Sequence, residues 1–395
     1  MTDVLFVHSQ TLYAKVTIPV ALALIDKGIG VSFEVNRPVL FGRSFGFSDD
    51  AIKQGPTGVG ILNPEAYDFV ADLIGLGAEW RKVRHKVRYT LIGERRARAY
   101  DAIVGTTKNI AALHRLAAKN VPTFALGYQH LPVVAHVRPA GTPGERQLDR
   151  RSVFFSDNAF ADQHDFKGIV AGCDTMLNAF TFLDAVHARR PAPPANGTAG
   201  NKLLIFHPGG YRSVISEPGD DRAHCLARQK SFMERLCLPA IAEGLAPIIK
   251  VHPLRARHHD IEDLAPLARD IERENGLADG AIELIGPRGW FWDAAFASAL
   301  ILGFGSSSTY ELWSAGLRNV YVGNFEGTAR SSKFDFFQSI FLDTYEDYLR
   351  ILRRPDSQTP DFDALSEAAF TGYNDLFTGQ AVASAVDAIE TWISS

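Results

Sequence analysis

Short apolar runs recur along this chain, each followed by a polar or glycine-rich turn and then by a longer stretch with apolar residues three and four positions apart. Runs of the first kind suit buried strands, and stretches of the second kind suit amphipathic helices. The pattern predicts strands at Val4–Val7, 31–35, 101–105, 121–126 and 153–156, with helices over 14–27, 64–76, 109–119 and 173–188. Residues 189–200 (Arg189-Arg190-Pro191-Ala192-Pro193-Pro194 and onward) then break every periodicity and read as a linker. Alternation resumes with strands at 203–206, 247–251, 282–285, 299–304 and 320–322. Helices are predicted over 222–243, 260–275, 290–297 and 308–315, and two more near 344–353 and 379–393 close the chain. Strands alternating with helices imply parallel sheets with helices on both faces. The expected fold is α/β: two Rossmann-like, doubly wound parallel-sheet domains facing a cleft, with the C-terminal helix packing back on the first. The expected divisions are 1–188, a linker over 189–200, a second domain over 201–360 and a helical segment over 361–395.

Length supports that division, because 395 residues exceed one ordinary core. A formal net charge of −4 supplies no global attraction to nucleic acid or anionic lipid, and nucleic acid is not an expected partner. Cys173, Cys225 and Cys237 lack metal-ligand or redox spacing and read as reduced thiols. An acidic residue at position 3 and a short first apolar run read as a strand rather than a leader, and no apolar stretch is long enough to span a bilayer. A cytoplasmic chain is expected. One local exception is the stretch 79–98, where Arg81, Lys82, Arg84, Lys86, Arg88, Arg95, Arg96 and Arg98 face only Glu79 and Glu94. It reads either as a solvated helix face or as a surface for anionic lipid or an anionic acceptor, placing the chain at the periphery of the inner membrane.

Candidate chemistry gathers where strands end. Gly305-Ser306-Ser307-Ser308-Thr309 leaves a buried run and opens a helix. Unpaired backbone N–H groups and hydroxyls there suit a phosphate, while plain serine capping is the alternative. Glu311 either accepts from a ribose hydroxyl or complements the helix dipole. Lys250 and His252 in Lys250-Val251-His252-Pro253 share one side of a strand end and suit a diphosphate leaving group. His207-Pro208-Gly209-Gly210, with Arg212 behind it, lets backbone approach a ligand closely. Trp290 and Trp292 read as core or as a base-stacking surface. In the first half, His8 and His130 each follow a strand and are candidate general bases, with Glu34 and Asp101 as lesser ones. HExxH, DxD and Cys/His ligand sets are absent, so no metal site is expected, and GxSxG is absent too.

Taken together, Gln129-His130, Lys250-Val251-His252-Pro253 and Ser306-Ser307-Ser308-Thr309 with Glu311 and Gly316 resemble the GT-B-fold transferases of bacterial surface polymers. These are the capsule-type Kdo transferases and teichoic-acid glycerophosphotransferases. The resemblance covers about residues 100–325. It departs at Leu131, where a glycine is usual, and at Phe304-Gly305, where the strand more often ends in Asp or Thr. It implies that Lys250, His252 and Ser306 to Thr309 hold donor phosphate, that Glu311 holds the ribose, and that the loop of Gln129 and His130 faces the reacting centre. The implied activity is metal-independent transfer of a sugar, such as Kdo, or of a glycerol-phosphate-like unit. It would run from a CMP-, CDP- or UDP-linked donor, with no cofactor, to a surface glycan or lipid-linked acceptor. The second domain would hold the donor and the first the acceptor, with His130 or His8 as base. Two readings stand beside it: a nucleotide-sugar epimerase of the UDP-GlcNAc 2-epimerase type, and a non-catalytic sugar or nucleotide binder.

Overall fold

A computed structural model describes residues 2–7, 13–34, 64–90, 99–106, 121–127, 152–156, 174–177, 180–191, 200–208, 222–251, 260–287, 289–304, 308–325, 341–353 and 379–394. The first sheet has seven strands: β1 (Asp3–Val7), β2 (Gly30–Glu34), β3 (Arg88–Thr90), β4 (Ala102–Thr106), β5 (Thr123–Leu126), β6 (Ser152–Ser156) and β7 (Asp174–Leu177). Their order is β3-β2-β1-β4-β5-β6-β7, and every pairing is parallel. The second sheet has six: β8 (Lys202–Phe206), β9 (Ala246–Lys250), β10 (Glu283–Ile285), β11 (Ser298–Gly303), β12 (Val320–Gly323) and β13 (Phe341–Leu342). Their order is β10-β9-β8-β11-β12-β13, again all parallel. Both orders reverse direction beside the first strand, which is the doubly wound arrangement, with its ligand crevice outside the carboxyl ends at that reversal. The switch points lie between β1 and β4 and between β8 and β11.

Helices among the described residues are α1 (Ala14–Asp26), α2 (Pro64–Leu73), α3 (Gly77–Val83), α4 (Leu183–Ala188), α5 (Arg222–Ala242), α6 (Asp260–Glu274), α7 (Trp292–Phe296), α8 (Ser308–Ser314), α9 (Tyr345–Arg353) and α10 (Ala381–Ser394). The period of two along β8 decides which layer each side chain joins. Leu203 and Ile205 pack in one apolar layer with Phe232, Leu236, Ile271 and Tyr348 from α5, α6 and α9. Leu204 and Phe206 enter the other, with Trp292 of α7 and Trp313 of α8. That second layer is continuous with the core of the first sheet, including Val4, Phe6 and Val104. The two sheets therefore share apolar packing.

Helix α10 packs on α1 and α4, as the pattern predicts for the last helix. It buries Ala381, Ala385, Val386 and Ile389. Its first backbone N–H groups find a cap from a distant element: Ala381 N and Val382 N donate to the two oxygens of Asp184 at 3.1 and 2.7 Å. Lys27 at the end of α1 pairs with Glu390 at 2.5 Å.

Two predicted elements are corrected. The helix over 173–188 is instead strand β7, a turn and the short helix α4. Pairing with β6, Val153 opposite Asp174 through Ser156 opposite Leu177, overrides the helical spacing of Met176, Leu177, Phe180, Leu183 and Val186. The basic stretch, described through residue 90, is not a single helix face either. It divides into α3, a 3₁₀ turn (Arg84–Lys86) and edge strand β3. Trp80 and Val87 turn inward, with Trp80 stacked on Phe33 at 5.6 Å. Strand β13, two residues long, is too short for any periodicity to announce.

Candidate functional site

Strand order gives the candidate site its shape. β9, β8 and β11 are consecutive in the second sheet. The stretches that leave their carboxyl ends are Val251-His252-Pro253, His207-Pro208-Gly209-Gly210 and Phe304 to Thr309. The motifs, about fifty residues apart in sequence, thus issue side by side from one sheet edge, around the β8/β11 switch point. Gly209, Gly210, Arg212, His252, Ser306 and Ser307 lie outside the described residues, as do His8, Gln129 and His130. In sequence, His8 follows the last residue of β1, and His130 comes shortly after β5.

His207, Thr309, Lys250 and Glu311 are the buried polar side chains on the described part of this edge. His207, 1% exposed, sets its ring edge-on to Phe232 at 5.8 Å, and its Nδ1 lies 3.2 Å from the Pro208 carbonyl oxygen. Its backbone N–H donates to the Lys250 carbonyl at 3.0 Å, which continues the β8–β9 ladder to the loop. Thr309, at the start of α8, buries a hydroxyl that has no hydrogen-bond partner among the described residues. A side chain at Gly303 would bring a Cβ within 2.7 Å of that oxygen, so glycine at the end of β11 makes room for it. Gly316, at φ 85°, ends α8 in the left-handed conformation that glycine adopts freely.

Lys250 is 3% exposed and spends its ammonium on backbone. Nζ donates to the carbonyls of Val251 at 2.9 Å, Gly286 at 2.9 Å and Pro287 at 3.1 Å. All three protons of an ammonium have acceptors there. Burial lowers its pKa from the ordinary value to about 7, while three carbonyl dipoles act the other way by favouring the charged form. Beside it Val251 is buried in the apolar layer, as the alternation predicts.

Glu311 meets a partner that sequence does not suggest. Its carboxylate pairs with Nζ of Lys15, from the first turn of α1. Both side chains are buried, at 7% and 9% exposure. The Lys15 ammonium also stands 5.1 Å from the centre of the Phe182 ring, and Thr181 beside that ring donates its hydroxyl to the Val16 carbonyl. A buried pair crossing from the first sheet's helix to the second sheet's helix thus lies next to the serine loop in sequence. The only prior signal is a lysine standing in the apolar stretch 14–21.

The lesser candidates fall elsewhere. Trp292 is core, 1% exposed. Trp290 carries the Arg189 guanidinium 5.1 Å from its ring centre and donates from Nε1 to Asp293 at 3.0 Å. Arg189 also donates to the Gly75 carbonyl, so this group joins residues that accompany the first sheet to Trp290 of the second. Asp101 accepts from Asp3 N at 2.7 Å, at the amino end of the first sheet and away from the carboxyl edge. In the basic stretch Arg81 pairs with Asp72 at 2.7 Å, Arg84 with Asp68 and Arg88 with Asp3. Three of its charges are therefore balanced locally by acids from other elements. No helix among the described residues is long and apolar enough to cross a membrane.

Two domains of this topology, with the C-terminal helix returned to the first, define the GT-B fold. No family model matches the chain, and no curated protein matches it by sequence. Solved structures do match in shape. The wall teichoic acid polymerase TagF, in a structure soaked with CDPG, superposes with a TM-score of 0.56 at 9% identity, over 100% of this chain and 89% of that one. UGT73P12 of Glycyrrhiza uralensis, complexed with glycyrrhetinic acid 3-O-monoglucuronide, superposes with a TM-score of 0.54 at 10% identity, over 99% and 96%.

Proposed function

We propose that the protein is a glycosyltransferase. It moves a sugar, such as Kdo, or a glycerol-phosphate-like unit, from a nucleotide donor held by the second domain. The acceptor is a surface glycan or lipid-linked saccharide on the first. The observation that carries this reading is the adjacency of β9, β8 and β11, whose carboxyl ends lead into the three motifs at the second switch point. A diphosphate suits that place because the glycine loop admits backbone N–H donors and the serines add hydroxyl donors. The buried Thr309 hydroxyl, without a hydrogen-bond partner among the described residues, supports it further. TagF and UGT73P12 share the fold, and the soak of TagF with CDPG agrees with a nucleotide donor.

In this reading Ser306 to Thr309, His252 and the Gly209-Gly210 loop meet the leaving phosphate, with Arg212 behind it. Lys250 shapes the pocket wall by holding the turn at 286–287 against the end of β9. A histidine of the first domain, His8 or His130, takes the acceptor hydroxyl's proton, for which an imidazole is suited near neutral pH. No cofactor is proposed.

The reading is tested by thermal shift of the whole chain against CMP, CDP, UDP and GDP, since a ligand of the folded state raises its melting temperature. One of the four should raise it, and replacing Ser307 and Ser308 together by Ala should remove most of that rise without altering the ligand-free melt. If none of the four nucleotides shifts the protein, the donor site is wrong. Conversion of a nucleotide sugar without acceptor, into its epimer rather than slow hydrolysis, would replace transfer with epimerisation.

A further inference from the structure

Among the described residues two cationic side chains are buried, Lys15 and Lys250. Their situations differ in a way that bears on phosphate binding. Lys250 has three carbonyl acceptors and no carboxylate, so reaching a phosphate would leave backbone oxygens unpaired. Lys15 is paired with a carboxylate, that of Glu311, two residues beyond Thr309. It also sits in the first turn of α1, where the helix dipole disfavours a cation, so it depends on an anion in front of it. A diphosphate carries more negative charge than one carboxylate and competes well for the same ammonium.

We propose that Lys15 is a donor-binding residue contributed by the first domain, held by Glu311 until nucleotide enters and then exchanged onto the donor's phosphates. The ligand class is a nucleoside diphosphate, free or carrying the unit to be transferred. The inference rests on the donor-site reading above and deepens it. The exchange keeps both groups hydrogen-bonded: the ammonium passes to phosphate, and the released Glu311 carboxylate accepts from ribose hydroxyls. It also ties donor binding to the relation between domains, because the pair crosses from α1 to α8.

The test is calorimetric titration of the full chain with CMP, CDP, UDP, GDP, the phosphate-free nucleosides and inorganic pyrophosphate. Replacing Lys15 alone would strand a buried carboxylate, so Lys15→Met is made together with Glu311→Gln, which removes both charges. This double variant should bind the preferred diphosphate about tenfold or more weaker, as loss of a charged hydrogen bond predicts. Its affinity for inorganic pyrophosphate should fall likewise. Glu311→Gln alone should bind pyrophosphate more tightly than the wild type, because Lys15 no longer has to leave a carboxylate. A purely structural pair predicts no such rise. Unchanged diphosphate affinity in the double variant, or no gain for pyrophosphate in Glu311→Gln, overturns the exchange while leaving the donor site standing. A wild type that binds none of the four nucleotides overturns both.

Discussion

Lys250 and Lys15 are one residue type, buried to similar depth, and the fold uses them differently. Lys250 is the expected phosphate cation, yet its described contacts are all carbonyls. Its titration carries a prediction. Burial puts the folded pKa near 7, against 10.5 ordinarily, so the unfolded chain holds more protons between those values. Stability therefore rises with pH across that window, although the carbonyls soften the rise. Lys250→Met keeps most of the volume and removes the titration. The melting temperature of wild type relative to the variant should climb from neutral pH toward the ordinary lysine pKa; a constant difference would show that the ammonium persists. Gly75 offers a second test at this scale. Its φ is +77°, and an added Cβ would meet Trp290 at 2.6 Å and Arg189 at 2.7 Å. Gly75→Ala should cost about 2 kcal/mol or more, read from the denaturation midpoint, through backbone strain and a crowded domain contact.

Elements show where local pattern suffices. Strand β11 and helix α8 lie within a residue or so of their predicted bounds, because an apolar run and a hydroxyl-rich turn are local signals. Strand β7 was not legible: its pairing partner, β6, decides it. The same holds for the cap of α10. Nothing near residue 381 announces that Asp184, far back in the chain, satisfies two of its N–H groups. Asp184→Ala should cost about 1–2 kcal/mol, within the range for a lost helix cap. Faster hydrogen exchange confined to 381–394 and its contacts on α1 and α4 would be the signature. Uniform change across both sheets would contradict a local cap.

At the scale of the molecule, the last helix belongs structurally to the first sheet. It covers α1 and α4, and Glu390 holds Lys27. Ending the chain at residue 378 should therefore lower the melting temperature and expose the α1 face, and a separate peptide of 379–395 should restore part of the loss. Equal melting of the shortened and full chains would show that α10 contributes nothing. The shared apolar layer, the Arg189–Trp290–Gly75 group and the Lys15–Glu311 pair join the two sheets at separate points.

Alternation of short apolar runs with amphipathic stretches was enough to predict strands alternating with helices, and so parallel α/β sheets, because both periods are local properties of backbone geometry. It was also enough to put glycine, lysine–histidine and serine loops at strand ends. Strand order was beyond it, since pairing joins residues far apart in the chain. Only the tertiary structure set β9, β8 and β11 side by side, so that three separate motifs became one edge. Only the tertiary structure committed Lys250 to carbonyls and brought Lys15 to Glu311, because a buried charge takes its partner from whatever the packing of distant helices delivers.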